Sequence, residues 1–504
     1  MPGVRQIAAR AEAAANRNRR PSELAGLLVR LLTLHSLTPG LAQQISAAAL
    51  RDMDTERDFD CKDELRKLSS LGSFGTTPNH GRKQLFTSVL QKPDLKSTRF
   101  QIPLKDITNP NGYTMEFQDL FLPHLWLHQM WTYYRDSWTR LVCASQEVMR
   151  SFWDAMEGNP FLDGADIKTV PGYKERVLPL WCHGDGVATV GVGKSWSRMM
   201  DCISFGSLLV SIRSFDMSWM AWTCFKSAQY KAAGAGDTMR TFWNIMKWSF
   251  EAAYQGRFPA HDHNGDAYIA GTTLGDLAGT PLAPLPDGTF LRAMLFGNKQ
   301  DLDFLAKDMG LRNLSSAVPC NWCPCTKYPH NVPWYDFRSD ADWVRLAFDK
   351  ASYALARGGE GYPLMSLSWM NCWGVWPDKM HVKHLGCDKY LGGSVLWLLT
   401  FEILDGSPDE NVAFIWSEIK AFYTLHEYNR RKYSTFKAMR LGMFTSVQNP
   451  YANFPELKGK AAMISHVMPA LLSIFEEHYD QAAGDDETRR VKQYDICVLG
   501  FYVF

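Results

Sequence analysis

The chain has 504 residues, a length that predicts roughly three domains of ~150 residues each. Its apolar content of 46% and charged content of 21% are those of a globular protein. The formal net charge of +1 excludes a bulk electrostatic attraction to nucleic acid, so any anion-binding surface must be local.

The cysteines and the apolar runs indicate where the protein resides. Eleven unevenly spaced cysteines follow an N-terminus that lacks the apolar core of a secretory signal. Reduced thiols are therefore expected, and clustered cysteines should bind metal rather than form disulfides. The longest apolar run, from Gly392 to Leu404, is too short to span a bilayer and contains Glu402. We expect a soluble intracellular protein without a membrane partner.

Residues 1–115 are interpreted as a basic helical extension followed by a linker. Residues 1–50 are rich in Ala and Leu at helical spacing and carry the basic cluster Arg17-Asn-Arg-Arg20. Such a segment could be a DNA-contacting arm, a nuclear localisation signal or a solvated helix. The acidic residues Glu12 and Glu23 argue against an organellar transit peptide. Residues 51–115 are rich in Ser, Gly, Pro and Thr, which predicts loops.

Residues 116–176 form a strongly aromatic segment. Aromatic side chains recur at helical spacing between Phe117 and Trp153, which predicts helices that bury one face in a core. A face on which nucleic-acid bases stack is the minor alternative.

At residue 177 the pattern changes to strands, and the segment 177–318 is predicted to be the first part of the catalytic core. Two β-rich runs, Val177–Trp181 and Val187–Val192, flank Gly184-Asp-Gly186, which predicts a tight turn that presents the carboxylate of Asp185. A third strand is predicted at Ile203–Ile212 and a helix at Asp237–Tyr254.

A fourth strand at Phe290–Phe296 leads to Asp301 and then to a helix at Leu302–Met309. Three strands, a helix, a fourth strand and a helix is the order of the ribonuclease-H fold, although other α/β domains share it. That fold carries metal-binding carboxylates on its first and fourth strands, which lie side by side.

Carboxylates at such positions suit phosphodiester cleavage. Two Mg²⁺ (or Mn²⁺) ions can activate the attacking oxygen and neutralise the leaving oxygen, and a few carboxylates suffice to hold them. Asp185 and Asp301 are the first candidates, with Asp303 as the runner-up. The later helices offer three candidates for a third acid, Glu402, Glu418 and Glu427, with Glu456 as a weaker one. The structural alternative is that Asp185 caps a turn and Asp301 caps a helix.

Residues 319–400 are predicted to be a zinc-binding insertion. Cys320-x-x-Cys323 and His381-x-x-His384 offer two sulfurs and two imidazoles, a set that Zn²⁺ binds tetrahedrally. Cys325 and Cys387 could replace either histidine. Reduced core thiols with surface histidines are the alternative, and a redox Cys-x-x-Cys is disfavoured because no thioredoxin-like strand precedes it.

Basic residues supply candidate phosphate contacts. Lys194 and Arg198 follow the predicted turn, and the helical C-terminal region, residues 401–504, contains a basic cluster that could track a DNA backbone, namely Arg430, Arg431 and Lys432. The run Ala188–Ser195 nearly matches a phosphate-binding loop, but Ala188 replaces its first glycine. Nucleotide hydrolysis is therefore a distant alternative.

Together these motifs resemble the CACTA-type (En/Spm) transposases and related eukaryotic cut-and-paste transposases with an acidic-triad ribonuclease-H core. The resemblance covers about residues 177–400, and its matching pieces are His183-Gly-Asp-Gly-Val187, Phe296-Gly-Asn298, Cys320-Asn-Trp-Cys-Pro-Cys325, and Asp378-Lys-Met-His-Val-Lys-His384 with Cys387-Asp388. It implies Asp185 and Asp301 as ligands of Mg²⁺. It also implies a zinc-binding set made of Cys320, Cys323, His381 and His384.

The resemblance further implies a nuclear, homo-oligomeric, Mg²⁺-dependent nuclease and strand-transfer enzyme whose partners are transposon ends and target DNA. The expected fold is mixed α/β, with a ribonuclease-H-like core and a zinc-binding insertion between N- and C-terminal helical regions. The chain departs from the family in lacking an unambiguous third acid and an N-terminal DNA-binding finger, and it ends abruptly on the apolar stretch Gln493–Phe504. A decayed copy, or a non-catalytic DNA- or protein-binding relic with a structural zinc site, is therefore the second interpretation.

Overall fold

The computed structural model describes most of the chain between residues 93 and 479 and parts of the N-terminal region. The described residues are 24, 27–28, 39–52, 66, 68–69, 93, 95–109, 111–163, 165–190, 198–210, 218–231, 237–307, 311–312, 315–328, 331–336, 338, 340–349, 351–352, 362–428 and 433–479. Lys194, Arg430, Arg431 and Lys432 lie outside them.

Two compact units make up the chain. The first unit comprises Met1–Cys182, Gly186–Phe296 and Pro363–Met370, so far as these ranges are described. The second unit comprises His183–Asp185, Gly297–Tyr362 and Asn371–Phe504, with the same restriction. Helices and a mixed sheet give the protein a mixed α/β fold.

The strands within the described residues form two sheets. They are β1 (Thr98–Lys105), β2 (Tyr113–Leu120), β3 (Val177–Val190), β4 (Arg198–Ser207), β5 (Trp219–Phe225), β6 (Arg292–Gln300) and β7 (Val375–Pro377). β1 and β2 form an antiparallel hairpin. The other five strands form one sheet in the order β5-β4-β3-β6-β7, in which β4 and β5 are antiparallel and β6 and β7 are parallel.

The α-helices are distributed along the whole described chain. They are α1 (Pro39–Asp52), α2 (Pro123–Tyr133), α3 (Arg135–Leu141), α4 (Gln146–Ala155), α5 (Tyr173–Arg176), α6 (Thr238–Gln255), α7 (Thr273–Leu277), α8 (Leu302–Lys307), α9 (Asp342–Arg345), α10 (Asp388–Leu398), α11 (Pro408–Leu425) and α12 (Ala461–Tyr479). π-Helical segments at Met380–Cys387 and Leu399–Ile403 adjoin α10 on either side. No helix of the described chain has both the length and the apolar character that crossing a membrane requires.

The long helix α6 confirms the helix predicted at Asp237–Tyr254. The residues at its two ends determine where it begins and ends. The Asp237 side chain accepts a hydrogen bond from the backbone N–H of Arg240 at 2.9 Å and so caps the N-terminus. Gly256 ends the helix with a φ of 69°, a left-handed conformation that favours glycine. Between these ends, apolar side chains such as Phe242, Trp243 and Phe250 are fully buried.

The turn predicted at Gly184-Asp-Gly186 is wrong, because β3 runs without interruption from Val177 to Val190. Neither Gly184 nor Gly186 has a positive φ, so neither glycine is used to reverse the chain. Asp185 therefore lies within a strand rather than at a turn. The predicted third strand at Ile203–Ile212 is β4 and ends earlier, at Ser207.

The aromatic segment 116–176 is helical only from Pro123 onward, and the linker predicted before it contains a strand. Phe117, expected on a helix, lies in β2 and is 63% exposed. Tyr113 and Met115 share its face of the hairpin and are also exposed. This period-two pattern belongs to a strand, and sequence reasoning missed it because helical aromatic residues follow directly.

The C-terminal helices of the second unit have a core of their own. α10 and α11 each pack on α12, and buried aliphatic side chains from all three helices meet, among them Leu396, Ile415 and Leu471. A capping box formed by Ser407 and Glu410 fixes the start of α11. The prediction of a helical region after residue 400 agrees with this arrangement.

Gly297 makes room for β7 beside β6. A Cβ atom at this position would overlap the indole ring of Trp376, which lies on β7. We expect Gly297→Ala to destabilise the protein by about 1–3 kcal/mol, the usual cost of overpacking a core, measured from denaturant unfolding. Gly442→Ala is the control, since the nearest atom to its Cβ would be Val447 Cγ2 at an ordinary 3.5 Å. Equal stability of the two variants would contradict this account of the packing.

Candidate functional site

The segments that carry the two predicted catalytic aspartates adjoin each other in the second unit. His183 Nδ1 lies 2.7 Å from the carbonyl oxygen of Lys299, and the backbone N–H of Gly184 donates to Gln300 Oε1. Asp185 follows Gly184 in β3, and Asp301 follows Gln300 at the end of β6. The structure thus brings the surroundings of Asp185 and Asp301 together, and both residues are half-buried.

Gly184 is what allows this close approach. A Cβ atom there would lie 2.6 Å from Phe304 Cζ and 2.5 Å from Gln300 Oε1, both far inside van der Waals contact. Gln300 is fully buried, and its Nε2 donates to Asn298 Oδ1 at 2.8 Å. The Gly-Asp-Gly and Gly-Asn motifs of the sequence therefore meet through one buried polar network.

The two carboxylate oxygens of Asp301 have different surroundings. Its Oδ1 accepts a hydrogen bond from the backbone N–H of Phe304 and so caps α8, as the structural alternative proposed. Its Oδ2 has no hydrogen-bond partner among the residues that the structure describes. The cap fixes the side chain and leaves this oxygen as a potential ligand. Asp303, two residues later, is exposed.

A third carboxylate, Asp378, lies beside the same strand end and was not assigned from the sequence. Its backbone N–H donates to the carbonyl oxygen of Gln300 at 2.8 Å. Its Oδ2 lies 2.9 Å from His381 Nδ1, and its Oδ1 lies 3.5 Å from Lys299 Nζ. The signal was an aspartate three residues before a histidine, a spacing at which helical side chains meet.

The surroundings of Asp378 favour its charged form. Burial raises the pKa of this carboxyl group, but the hydrogen bond with His381 and the positive charge of Lys299 outweigh burial. The pKa of Asp378 consequently lies below its ordinary value.

His384 makes a second imidazole–carboxylate pair. Its Nδ1 lies 2.7 Å from Oδ2 of Asp388, and Lys383 Nζ lies 2.7 Å from Oδ1 of the same residue. Asp388 is only 1% exposed, so an imidazole and an ammonium group satisfy the oxygens of a buried carboxylate. Both histidines of the predicted zinc set thus have a carboxylate at Nδ1.

The structure groups three cysteines of the predicted zinc set and does not place its histidines with them. The sulfur atoms of Cys320, Cys323 and Cys325 all lie within 4.8 Å of one another, and this group could bind a metal such as zinc. Within the described chain it is the one group of three or more potential ligands that close together. His381, His384 and the exposed Cys387 do not belong to it.

Hydrogen bonds hold the cysteine loop in place. The backbone N–H of Trp322 donates to Cys320 Sγ at 3.2 Å, and Arg312 Nη1 donates to the Cys320 carbonyl oxygen at 3.0 Å. The hydrogen bond from the Cys323 thiol lowers the pKa of Cys320 against the effect of burial. A lowered pKa favours the thiolate form, which is the form of sulfur that binds metal.

The remaining predicted residues lie elsewhere or form no group. Arg198 is exposed at the start of β4. Glu402 is exposed in the π-helical segment Leu399–Ile403, and Glu418 is half-buried on α11. Over the described ranges, no three carboxylates lie within 4.8 Å of one another, so a third acid is not assembled with Asp185 and Asp301.

Comparison with known proteins assigns no family. No protein-family model matches the chain, and no curated protein is significantly similar to it. The resemblance to CACTA-type transposases therefore stays a prediction from motifs, and the site geometry has to support any function.

The Asp378 pair predicts a component of stability that depends on pH. Because the folded-state pKa of Asp378 is depressed, this component is present above the ordinary aspartate pKa of about 4 and is lost as pH falls through the folded pKa. Asp378→Asn lacks the component, so the difference in unfolding free energy between wild type and variant should shrink below about pH 4.

The control for this measurement is Asp405→Asn, since Asp405 is exposed and its side chain has no hydrogen bond or ion pair to the rest of the described chain. Its difference from wild type should stay small at every pH. A difference for Asp378→Asn that does not change between pH 6 and 3 would show that its carboxylate gains nothing from His381 and Lys299.

Proposed function

We propose that the protein is a Mg²⁺-dependent DNA nuclease and strand-transfer enzyme of the transposase type, built on a ribonuclease-H-like sheet. The strand order carries the proposal. Counted from β3, the first strand adjoins the fourth, β6, and α6 lies between the third and fourth strands in sequence. In the ribonuclease-H arrangement those neighbouring strands bear the carboxylates, and here Asp185 lies on β3 and Asp301 follows β6.

The donor set of this region fits a hard divalent cation. Asp185 and Asp301 would supply carboxylate oxygens, the ligand type that Mg²⁺ prefers, and few protein ligands are needed when water and phosphate complete the shell. When bound, Mg²⁺ would activate the attacking oxygen and neutralise developing charge on the phosphate. The cap bond to Phe304 holds Asp301 in a fixed orientation, so its free Oδ2 needs little reorganisation.

Lys299 supplies a local cation for the DNA backbone. Its side chain is 48% exposed, and its ammonium group lies 3.5 Å from Asp378 Oδ1. The carboxylate fixes the ammonium at the end of β6, where it can contact a phosphate next to the scissile one. A local contact of this kind suits a chain whose net charge gives no bulk attraction. Transposon ends and target DNA would be the partners of a nuclear homo-oligomer.

Asp185→Asn tests the proposal. The amide cannot supply the negative charge that holds Mg²⁺, so Mg²⁺-dependent nicking of supercoiled plasmid should fall at least 100-fold. Loss of a residue that only supports a metal ligand costs up to about 100-fold, and loss of the ligand itself should cost at least as much. Binding of a labelled DNA duplex, followed by fluorescence anisotropy, should be retained.

Asp163→Asn is the matched control, because Asp163 is exposed and its side chain makes no hydrogen bond or ion pair within the described chain. This variant should nick at the wild-type rate. Wild-type nicking by Asp185→Asn would rule out Asp185 as a metal ligand and with it the proposed catalytic site.

The second candidate function is a non-catalytic DNA- or protein-binding relic that keeps a structural zinc site. The observation that favours it is the contrast between three clustered thiols and the lack of a three-carboxylate group among the described residues. Metal analysis of the wild-type protein separates the two candidates. Stoichiometric zinc without any Mg²⁺-stimulated cleavage would support the relic and contradict the nuclease.

A further inference from the structure

We propose that Cys372 is the fourth ligand of a closed Cys₄ zinc site whose other ligands are Cys320, Cys323 and Cys325. A structural zinc ion takes four ligands in a tetrahedron, so three clustered thiols leave one position to fill. The sequence pattern assigned that position to a histidine or to Cys387. This inference does not depend on the proposed nuclease activity.

A short chain of hydrogen bonds links Cys372 to the cysteine loop. The Cys372 thiol donates to the carbonyl oxygen of Phe348 at 3.1 Å. The backbone N–H of Phe348 donates to the carbonyl oxygen of Trp322 at 2.8 Å. The backbone N–H of Trp322 in turn donates to Cys320 Sγ at 3.2 Å. Cys372 therefore lies next to the segment that packs directly on the loop between Cys320 and Cys323.

The segment that carries Cys372 is anchored independently to the same loop. Trp322 Nε1 donates to the carbonyl oxygen of Val375 at 3.1 Å, three residues after Cys372. The Asn371 side chain accepts a hydrogen bond from the backbone N–H of Trp373 at 2.9 Å and fixes the short 3₁₀ helix Cys372–Gly374. Cys372 Sγ is not among the sulfur atoms that lie within 4.8 Å of one another, so binding the same zinc ion requires the Cys372 side chain to rotate away from the Phe348 carbonyl oxygen.

Burial is the main reason why the Cys372 thiol holds its proton. It raises the pKa of this thiol to about 11, with a smaller contribution to that rise from negative charge on Cys320. The thiol is completely buried, as a zinc ligand in a closed site commonly is. Zinc would displace to solvent the protons of those thiols that still carry one, and the Cys372 sulfur would exchange the Phe348 carbonyl for the metal.

The rival ligands are engaged or remote. His381 and His384 each have Nδ1 beside a carboxylate, on Asp378 and Asp388 respectively. Cys387 is exposed at the end of the π-helical segment Met380–Cys387. The hydrogen bonds that lead through Phe348 and Trp322 to Cys320 start from Cys372 and not from any of these three residues.

X-ray absorption at the zinc edge of the full-length reduced protein tests the proposal. The wild-type protein should bind one zinc ion with four sulfur atoms at ~2.3 Å. Cys372→Ser should show three sulfur atoms and one lighter atom at ~2.0–2.2 Å. The zinc affinity of this variant, measured by competition with a chelator, should fall at least 10-fold, since changes that only support a ligand already cost 10–100-fold.

Cys143→Ser is the matched control. The Cys143 thiol is also buried and also donates to a backbone carbonyl oxygen, that of Ser145, at 3.1 Å. This variant should keep four sulfur atoms around zinc and the wild-type affinity. It therefore separates the loss of a metal ligand from the loss of a buried thiol.

Three results would overturn the proposal: a wild-type protein without zinc, a wild-type site with three sulfur atoms and one nitrogen atom, or four sulfur atoms in Cys372→Ser. Because a serine at a buried position could prevent folding, Cys372→His provides a second variant whose imidazole can still bind zinc. It should retain one zinc ion with three sulfur atoms and one nitrogen atom, and four sulfur atoms there would also refute the assignment.

Discussion

The close approach of β3 to β6 at Gly184 is the constraint on which the candidate site depends. With no side chain at this position, the backbone N–H reaches the buried amide of Gln300, and the ring of Phe304 fills the remaining space. A buried amide is costly unless its polar atoms are satisfied, and Gln300 meets this condition through Gly184 and Asn298. The network therefore fixes the middle of β3 against the end of β6, and the next residues along the chain, Asp185 and Asp301, are positioned with them.

Charge balance at this strand end comes from paired side chains. Asp378 lies between an imidazole and an ammonium group, and the buried Asp388 is held in the same way by His384 and Lys383. Carboxylates that face each other without such partners repel and raise one another's pKa. The Lys299 ammonium group and the hydrogen bond with His381 favour the charged form of Asp378 at the end of β6, and a site for a divalent cation requires charged carboxylates.

Local signals made some of this structure predictable from the sequence. The helix α6 begins at a capping aspartate and ends at a left-handed glycine, and both signals involve only neighbouring residues. The cysteine group was recognised for the same reason, since its three members lie within six consecutive residues, Cys320 to Cys325.

The errors arose where a residue's role is set by a partner distant in sequence. Gly184 was interpreted as part of a turn because glycine is the common turn residue, whereas its contacts are with Gln300 and Phe304. The position of Cys372 depends on Phe348 and Trp322, which no spacing rule connects to it.

The sulfur group and the acidic strand end are joined through β7, a strand of only three residues. At its start, the Val375 carbonyl oxygen accepts a hydrogen bond from Trp322 of the cysteine loop. Directly after its end, the backbone N–H of Asp378 donates to Gln300. Such a short strand contributes few ladder hydrogen bonds, so its position depends on what holds its two ends. A metal bound by the thiols would fix the first end, and the position of Asp378 beside Lys299 would follow from it.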